Sequence, residues 1–316
     1  RFLRVEPDAV ERSLQELLDR GEMRARTFEQ TEYIYLPDLL AAEEDIAARL
    51  GEISTFPTEP PATLDSDIRV LEMAQGFAYA PLQRQAIRTA LSSRVMVLTG
   101  GPGTGKTTTV NAILSLYEAA YDRVALCAPT GRAAKRLSEL TRHSASTIHR
   151  LLEVDYSTGM VRFIHNEKNL LPFDVIILDE MSMVDVKLFQ ALLAAARPHC
   201  RFVLVGDADQ LPSVGPGNIL GEILRAGVLP TVRLTEIFRQ AQKSLIVRNA
   251  HRIVQGEAPR AGGKEDDFFM LESFGPACQR LVCDLVSARL PRTYGLDPVR
   301  DIQVLCATKV GPTGSV

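Results

Sequence analysis

Val95-Met96-Val97-Leu98-Thr99-Gly100-Gly101-Pro102-Gly103-Thr104-Gly105-Lys106-Thr107-Thr108 is an apolar run that turns into a glycine-rich loop and then into a helix-like segment reaching Ala119. A strand, a phosphate loop and a helix follow from that order. Gly100, Gly105, Lys106 and Thr107 stand at P-loop spacing: the glycines let backbone N–H groups wrap phosphates, Lys106 reaches the outer ones, and Thr107 offers a hydroxyl to Mg²⁺. The candidate cofactor-binding residues are therefore Gly100, Gly101, Pro102, Gly103, Thr104, Gly105, Lys106, Thr107 and Thr108. A plain glycine-rich turn would not need the strand before it and the helix after it.

Outward from this loop, short continuous apolar runs recur at Val124 to Ala128, Val175 to Leu178 and Phe202 to Val205, with helix-like segments between them. Runs of that kind suit strands buried on both faces of a parallel sheet, so a doubly wound α/β domain is expected over residues 76–230. Between two core strands, residues 153–165 alternate Val154, Tyr156, Val161 and Phe163 around Ser157-Thr158-Gly159, the pattern of an inserted β-hairpin. Pattern alone allows a surface elaboration or an element with a task of its own.

Before the core, residues 1–51 read as helix, strand, turn, strand and a second helix ending at Gly51, a winged-helix-like unit expected to fold separately. It carries twelve acidic against seven basic residues over 1–50, which favours packing or docking of a protein partner over DNA contact. Pro57, Pro60 and Pro61 interrupt regular structure, and residues 52–75 are expected to be a linker. Beyond residue 230, Ser244 to Val254 reads as a helix and Ile302 to Thr308 as a strand of a second domain over 231–316.

At 316 residues the chain has room for about two or three domains. The net charge of −3 means that any nucleic-acid surface must be local. Five cysteines without C-x-x-C spacing argue against a zinc site or disulfide framework and for inert thiols in a reducing compartment, the cytoplasm. No apolar run has bilayer length, and no signal-peptide core is seen at the N-terminus. The start at Arg1 without Met suggests a piece of a longer protein.

The run Val175-Ile176-Ile177-Leu178 delivers Asp179-Glu180 to the C-terminal tip of a buried strand, where ligands of open α/β sheets bind. A carboxylate there needs a compensating cation. Asp179 would hold Mg²⁺, and Glu180 would orient and deprotonate an attacking water. Phe202 to Val205 similarly runs into Gly206-Asp207-Ala208-Asp209-Gln210-Leu211-Pro212. Gln210 can donate and accept at once, which suits sensing of a γ-phosphate; a simple turn is the other reading.

Together with these, Leu82-Gln83-Arg84-Gln85-Ala86-Ile87, Ala128-Pro129-Thr130-Gly131-Arg132-Ala133-Ala134, Thr147-Ile148-His149-Arg150-Leu151 and Leu234-Thr235-Glu236-Ile237-Phe238-Arg239-Gln240 stand in an order that resembles the superfamily 1 helicases of the B-type, RecD-like branch. The N-terminal unit and the hairpin are similar to those of its long, RecBC-independent form. The resemblance implies a RecA-like motor domain followed by part of a second, with ATP and Mg²⁺ as cofactors. It also implies 5′ to 3′ DNA unwinding in repair or recombination, with the hairpin as the separating pin. It places Gln83 against adenine, Gln210 between γ-phosphate and DNA, and Arg239 as an arginine finger from the second domain, a role suited to a permanently charged guanidinium. Single-stranded DNA and its junctions with duplex are the implied partners of a monomer. The implied DNA contacts are Pro129, Thr130, Gly131, Arg132, Thr147 and His149.

Those contacts lie in the basic stretch 123–150, where Arg123, Arg132, Lys135, Arg136, Arg142 and Arg150 face only Glu139. With no tryptophan in the chain, base stacking falls to Phe, Tyr or His. An RNA helicase of the same superfamily and a nucleotide-dependent switch or loader are the alternatives. The later motor blocks of the family are not found in these residues, so weak translocation is expected of this stretch alone.

Overall fold

A computed structural model of the protein describes residues 6–120, 123–155, 162–238, 242–263, 265–306 and 308–311. The first helix, α1 (Pro7–Asp19), is followed by the antiparallel pair β1 (Arg24–Phe28) and β2 (Thr31–Tyr35). Their two-residue turn puts Glu29 and Gln30 at φ 47° and 68°, the left-handed values that match the twist of a tight hairpin. Next come α2 (Pro37–Thr55), α3 (Leu64–Gln75) and α4 (Pro81–Ser92). The core then alternates β3 (Val95–Gly100), α5 (Lys106–Ala120), β4 (Val124–Ala128), α6 (Gly131–Thr141), β5 (Ala145–Thr147) and α7 (Ile148–Leu152).

A short antiparallel ladder follows, β6 (Val154–Asp155) with β7 (Arg162–Phe163); the expected hairpin's tip, 156–161, lies outside the described residues. The core resumes with β8 (Val175–Leu178), α8 (Val186–Ala195), β9 (Arg201–Gly206), α9 (Ile219–Ala226) and β10 (Thr231–Leu234). After it stand α10 (Leu245–Val254), α11 (Pro276–Asp284) and, beyond a π-helical stretch at Leu285–Arg289, α12 (Leu290–Tyr294).

Among the described residues six strands form one parallel sheet in the order β10-β3-β9-β8-β4-β5. Side-chain alternation divides its core between two faces. Val95, Val97, Ile176, Leu178, Phe202 and Leu204 pack with α2, α7, α8 and α9. Met96, Leu98, Val175, Ile177, Val203 and Val205 pack with α3, α4 and α5. This is the expected α/β, P-loop, RecA-like sheet.

Four boundaries differ from expectation. Ala42, Ile46, Leu50 and Ile53 of α2 join the core of the first face, so α2 is a layer of the sheet domain and not part of a separate unit. The rest of that unit has no core: none of the described residues of α1, β1 or β2 is buried. The same packing carries α2 through Gly51, which lacks the left-handed conformation of a helix stop, to Thr55.

Residues 64–75 are helix rather than linker. Leu64 and Ile68 sit in the core of the second face, and Glu72 accepts bonds from Tyr79 N (2.8 Å) and from Arg84 Nε (2.8 Å) and Nη2 (2.6 Å). Third, β10 pairs with β3 and so belongs to the first sheet, which therefore extends past residue 230. Fourth, residues 302–306 form no strand, and Leu305 is 88% exposed.

Cys127 and Cys200 are buried among apolar neighbours, which pushes each thiol up to about 12, whereas Cys283 and Cys306 are exposed and Cys278 is half-buried. The inert-thiol expectation thus fits the first two. No helix among the described residues is long and apolar enough to cross a membrane.

Because α2 shares the sheet's core, Leu50→Ala should lower the stability of the whole sheet domain by about 2–5 kcal/mol. In denaturant unfolding followed by far-UV circular dichroism, the single main transition should shift as one. A separate early transition that leaves the main one in place would mark α2 as an independent unit.

Candidate functional site

Parallel strands send all their C-terminal ends to one edge of a sheet. Thr99 of β3 pairs with Gly206 of β9, Leu178 of β8 with Leu204 of β9, Cys127 of β4 with Leu178, and Ala128 with Thr147 of β5. The glycine-rich loop, Asp179-Glu180, the segment from Asp207 and the two basic segments therefore leave the same edge side by side.

The loop is shaped by its own bonds. Thr104 Oγ1 donates to Gly101 O at 2.8 Å, and Gly103 and Gly105 adopt φ 75° and 81°. Gly105 has no space for a side chain, since a Cβ would lie 2.5 Å from Gln83 Nε2 and 2.8 Å from the Phe238 ring. Lys106 opens α5 and turns its ammonium back onto the carbonyls of Gly100 and Gly101, the latter at 3.1 Å. Phosphate oxygens are stronger acceptors for that ammonium than carbonyls are. Thr107 and Thr108 stand in the first turn of the 15-residue α5, where the helix dipole favours anions.

Gln83 is placed at this loop, 3% exposed, with both amide atoms engaged. Its Oε1 accepts from Ala80 N at 3.0 Å and its Nε2 donates to Gly105 O at 3.3 Å, so it braces the loop from α4. Phe238 N donates to Gly103 O at 3.3 Å, bringing the chain just before Arg239 onto the loop. Arg239 itself lies outside the described residues.

Asp179 Oδ1 accepts from Glu180 N at 2.9 Å, and Glu180 takes the left-handed φ of 54°, a strained backbone for a non-glycine residue. Burial pushes the Asp179 carboxyl up; the Glu180 N–H, Lys106 and Arg136 offset that only in part. Glu180 is likewise pushed up, by burial and then by Asp179, with Lys106 and Arg136 opposing and Asp207 adding. Buried carboxylates so short of positive charge fit a divalent cation, which Asp179 and Thr107 would hold beside phosphate oxygens. Among the described residues no cluster of three or more His, Cys, Asp or Glu could hold a metal by itself, which leaves phosphate oxygens to complete the shell.

Gln210 is exposed and lines a cavity of about 190 Å³ together with Gly101, Pro102, Asp207 and His251 of α10. Its N–H donates to Asp207 O at 3.3 Å. Phe238 and His251 at the loop, and Arg136 near the carboxylates, were not expected here. Phe238 stood inside a family block, whereas the helical patterns around Arg136 and His251 carry no signal of what those residues face.

The expected DNA contacts gather beside the carboxylates. Thr130 caps α6 by accepting from Ala133 N at 3.2 Å, and Thr147 caps α7 by accepting from Arg150 N at 3.1 Å. Each hydroxyl keeps its proton for an outside acceptor. Pro129 and Thr130 are half-buried, while Gly131, Arg132 and His149 are exposed. The His149 ring lies 5.9 Å from that of Phe163 at the base of the β6–β7 ladder.

A carboxyl whose folded pKa stands above its ordinary 3.8 binds protons more readily folded than unfolded. Its charge therefore opposes folding at neutral pH, and the opposition fades as pH falls through the raised value. Asp179→Asn should accordingly raise the melting temperature of the protein by a few degrees at pH 7, with a smaller gain in acid. A melting temperature lower than wild type at pH 7 would contradict this.

Residues 83–216 match the family described as "AAA domain". The chain is 39% identical over 281 residues to the ATP-dependent RecD2 DNA helicase of Deinococcus radiodurans, covering 89% of this chain and 37% of that protein. It is 34% identical over 320 aligned residues to the RecBCD enzyme subunit RecD of Mycobacterium tuberculosis, covering 89% of this chain and 54% of that protein. The ATP-dependent DNA helicase dda of phage T4 is 37% identical over 127 residues, 39% of this chain and 29% of that protein. The chain thus spans about half or less of the length of these relatives. With a P-loop sheet and relatives matched over most of its own residues, the chain resembles the RecD-like helicases.

Proposed function

We propose that this chain is the nucleotide-binding portion of an ATP-dependent DNA helicase that moves 5′ to 3′ on single strands. Its substrates are single-stranded DNA and single-strand/duplex junctions, and it works as a cytoplasmic monomer in repair or recombination. The observation that carries this reading is the shared sheet edge, on which the P-loop, Asp179-Glu180, Gln210 and the Thr130 and Thr147 segments stand together.

In this reading the loop N–H groups and Lys106 bind and orient the triphosphate. Mg²⁺, when bound to Thr107 and Asp179, supplies positive charge against the phosphates. The Glu180 carboxylate, its basicity raised by burial, takes a proton from water as the water oxygen bonds to the γ-phosphorus. The bond from that phosphorus to the β–γ bridging oxygen breaks, and ADP leaves. Arg239 stabilises the charge spread over the γ-phosphoryl oxygens, and Gln210 reports their presence. Gln83 braces the loop and presents its remaining amide capacity to the adenine.

The DNA backbone runs across the hydroxyls of Thr130 and Thr147 and the charge of Arg132, with Pro129, Gly131 and His149 shaping the track. Coupling has a short route. α6 begins in the DNA segment at Gly131 and one turn later presents Arg136, whose charge acts on both Asp179 and Glu180. The inserted hairpin serves as the separating pin, its base held by the His149–Phe163 contact and by an ion pair from Arg49 of α2 to Glu167.

ATPase of the full-length protein should rise at least tenfold with single-stranded DNA, and matched RNA should compete poorly. Lys106→Ala and Arg239→Ala should each abolish turnover, with nucleotide binding kept only in the arginine variant. Equal rates with and without DNA would support a nucleotide switch or loader instead.

Shortening the hairpin around Thr158-Gly159 should remove strand separation and spare DNA-stimulated ATPase. Loss of both would give the hairpin a folding role.

A further inference from the structure

Helix α10 is fixed to the chain that follows it. Ser244 caps it, accepting from Val247 N at 3.2 Å, and Asp267 accepts from Leu245 N at 2.7 Å and Ile246 N at 3.1 Å. Asn249 is 1% exposed and exchanges two 2.8 Å bonds with the Arg260 backbone. A helix clamped this way holds one face steady. That face carries His251 onto the phosphate loop.

The imidazole Nε2 lies 3.3 Å from Pro102 O, and a Cβ at Gly101 would come within 2.6 Å of the ring's Cε1. A carbonyl only accepts, so Nε2 carries the hydrogen in this contact. The imidazole thus lines the cavity of about 190 Å³ together with Gln210 and Asp207.

We infer that His251 is a positioning residue for the outermost phosphate: its Nε2–H, which donates to the Pro102 carbonyl here, turns to an oxygen of a γ-phosphoryl group entering the cavity. α10 thereby distinguishes a triphosphate from a diphosphate. The inference rests on the loop being an ATP site. The contact is one for the third phosphate, the group that a diphosphate lacks.

Equilibrium binding of a fluorescent ADP and of a fluorescent non-hydrolysable ATP analogue to the whole protein tests this. His251→Ala should weaken the triphosphate analogue about tenfold and change ADP less than twofold, the loss expected for one hydrogen bond to a charged group. His251→Gln, which keeps an N–H donor of similar reach, should recover most of the triphosphate affinity. Equal weakening of both nucleotides, or no change in either, overturns the role. A wild-type protein that binds neither nucleotide overturns the ATP-site reading itself, and His251 with it. Lys106→Ala, which should weaken both, separates that case from a fault confined to His251.

Discussion

Burial on both faces of β3 is the constraint from which the remaining architecture follows. All six residues from Val95 to Gly100 are buried, so helices must cover both sides of the strand, and its neighbours must run parallel to leave room for the crossovers. Parallel order then collects the strands' C-terminal ends on one edge. The chemistry is gathered there by topology, not by any attraction among the residues concerned. Indeed, Asp179 and Asp207 repel Glu180, and the carboxyls of Asp179 and Glu180, both pushed up in pKa by burial, are a cost borne by the sheet. The left-handed backbone of Glu180 adds to that cost.

Much of this is legible in the sequence. Val175 to Leu178 and Val124 to Ala128 form strands with the same limits as their apolar runs, because a strand buried on both faces has no polar positions to blur its ends. The phosphate loop and Asp179-Glu180 were legible for a related reason: polar residues at the end of an apolar run mark where the chain leaves the sheet. What pattern could not supply was partnership. The amphipathic stripe of α2 reads the same whether it packs on β1 and β2 or on the sheet, and the three prolines at 57, 60 and 61 suggest a break in the fold where there is only a break in helix.

Two further readings failed because pattern does not show partners, one absent and one present. Ile302 to Thr308 has strand composition, but a strand exists through its pairing, and residues 302–306 have none. Gly51 reads as a stop, yet Ile53 beyond it has a place in the core, and burial outweighs glycine's cost within a helix of about 1 kcal/mol. His251 illustrates the opposite limit. Nothing in its helical spacing distinguishes an imidazole facing solvent from one pressed on Gly101, and only the clamp through Asn249 and Asp267 decides it.

The uneven burial of the cysteines has a practical consequence. Thiolate is the reactive form, and thiols pushed up to about 12 inside the sheet hold almost none of it. A maleimide dye would therefore spare Cys127 and Cys200 and attach at Cys283 and Cys306, with Cys278 slower, all of them beyond β10. The chain thus carries its own site-selective handles on the segment after the sheet. The resulting fluorescence would report movement of that segment while the sheet stays dark.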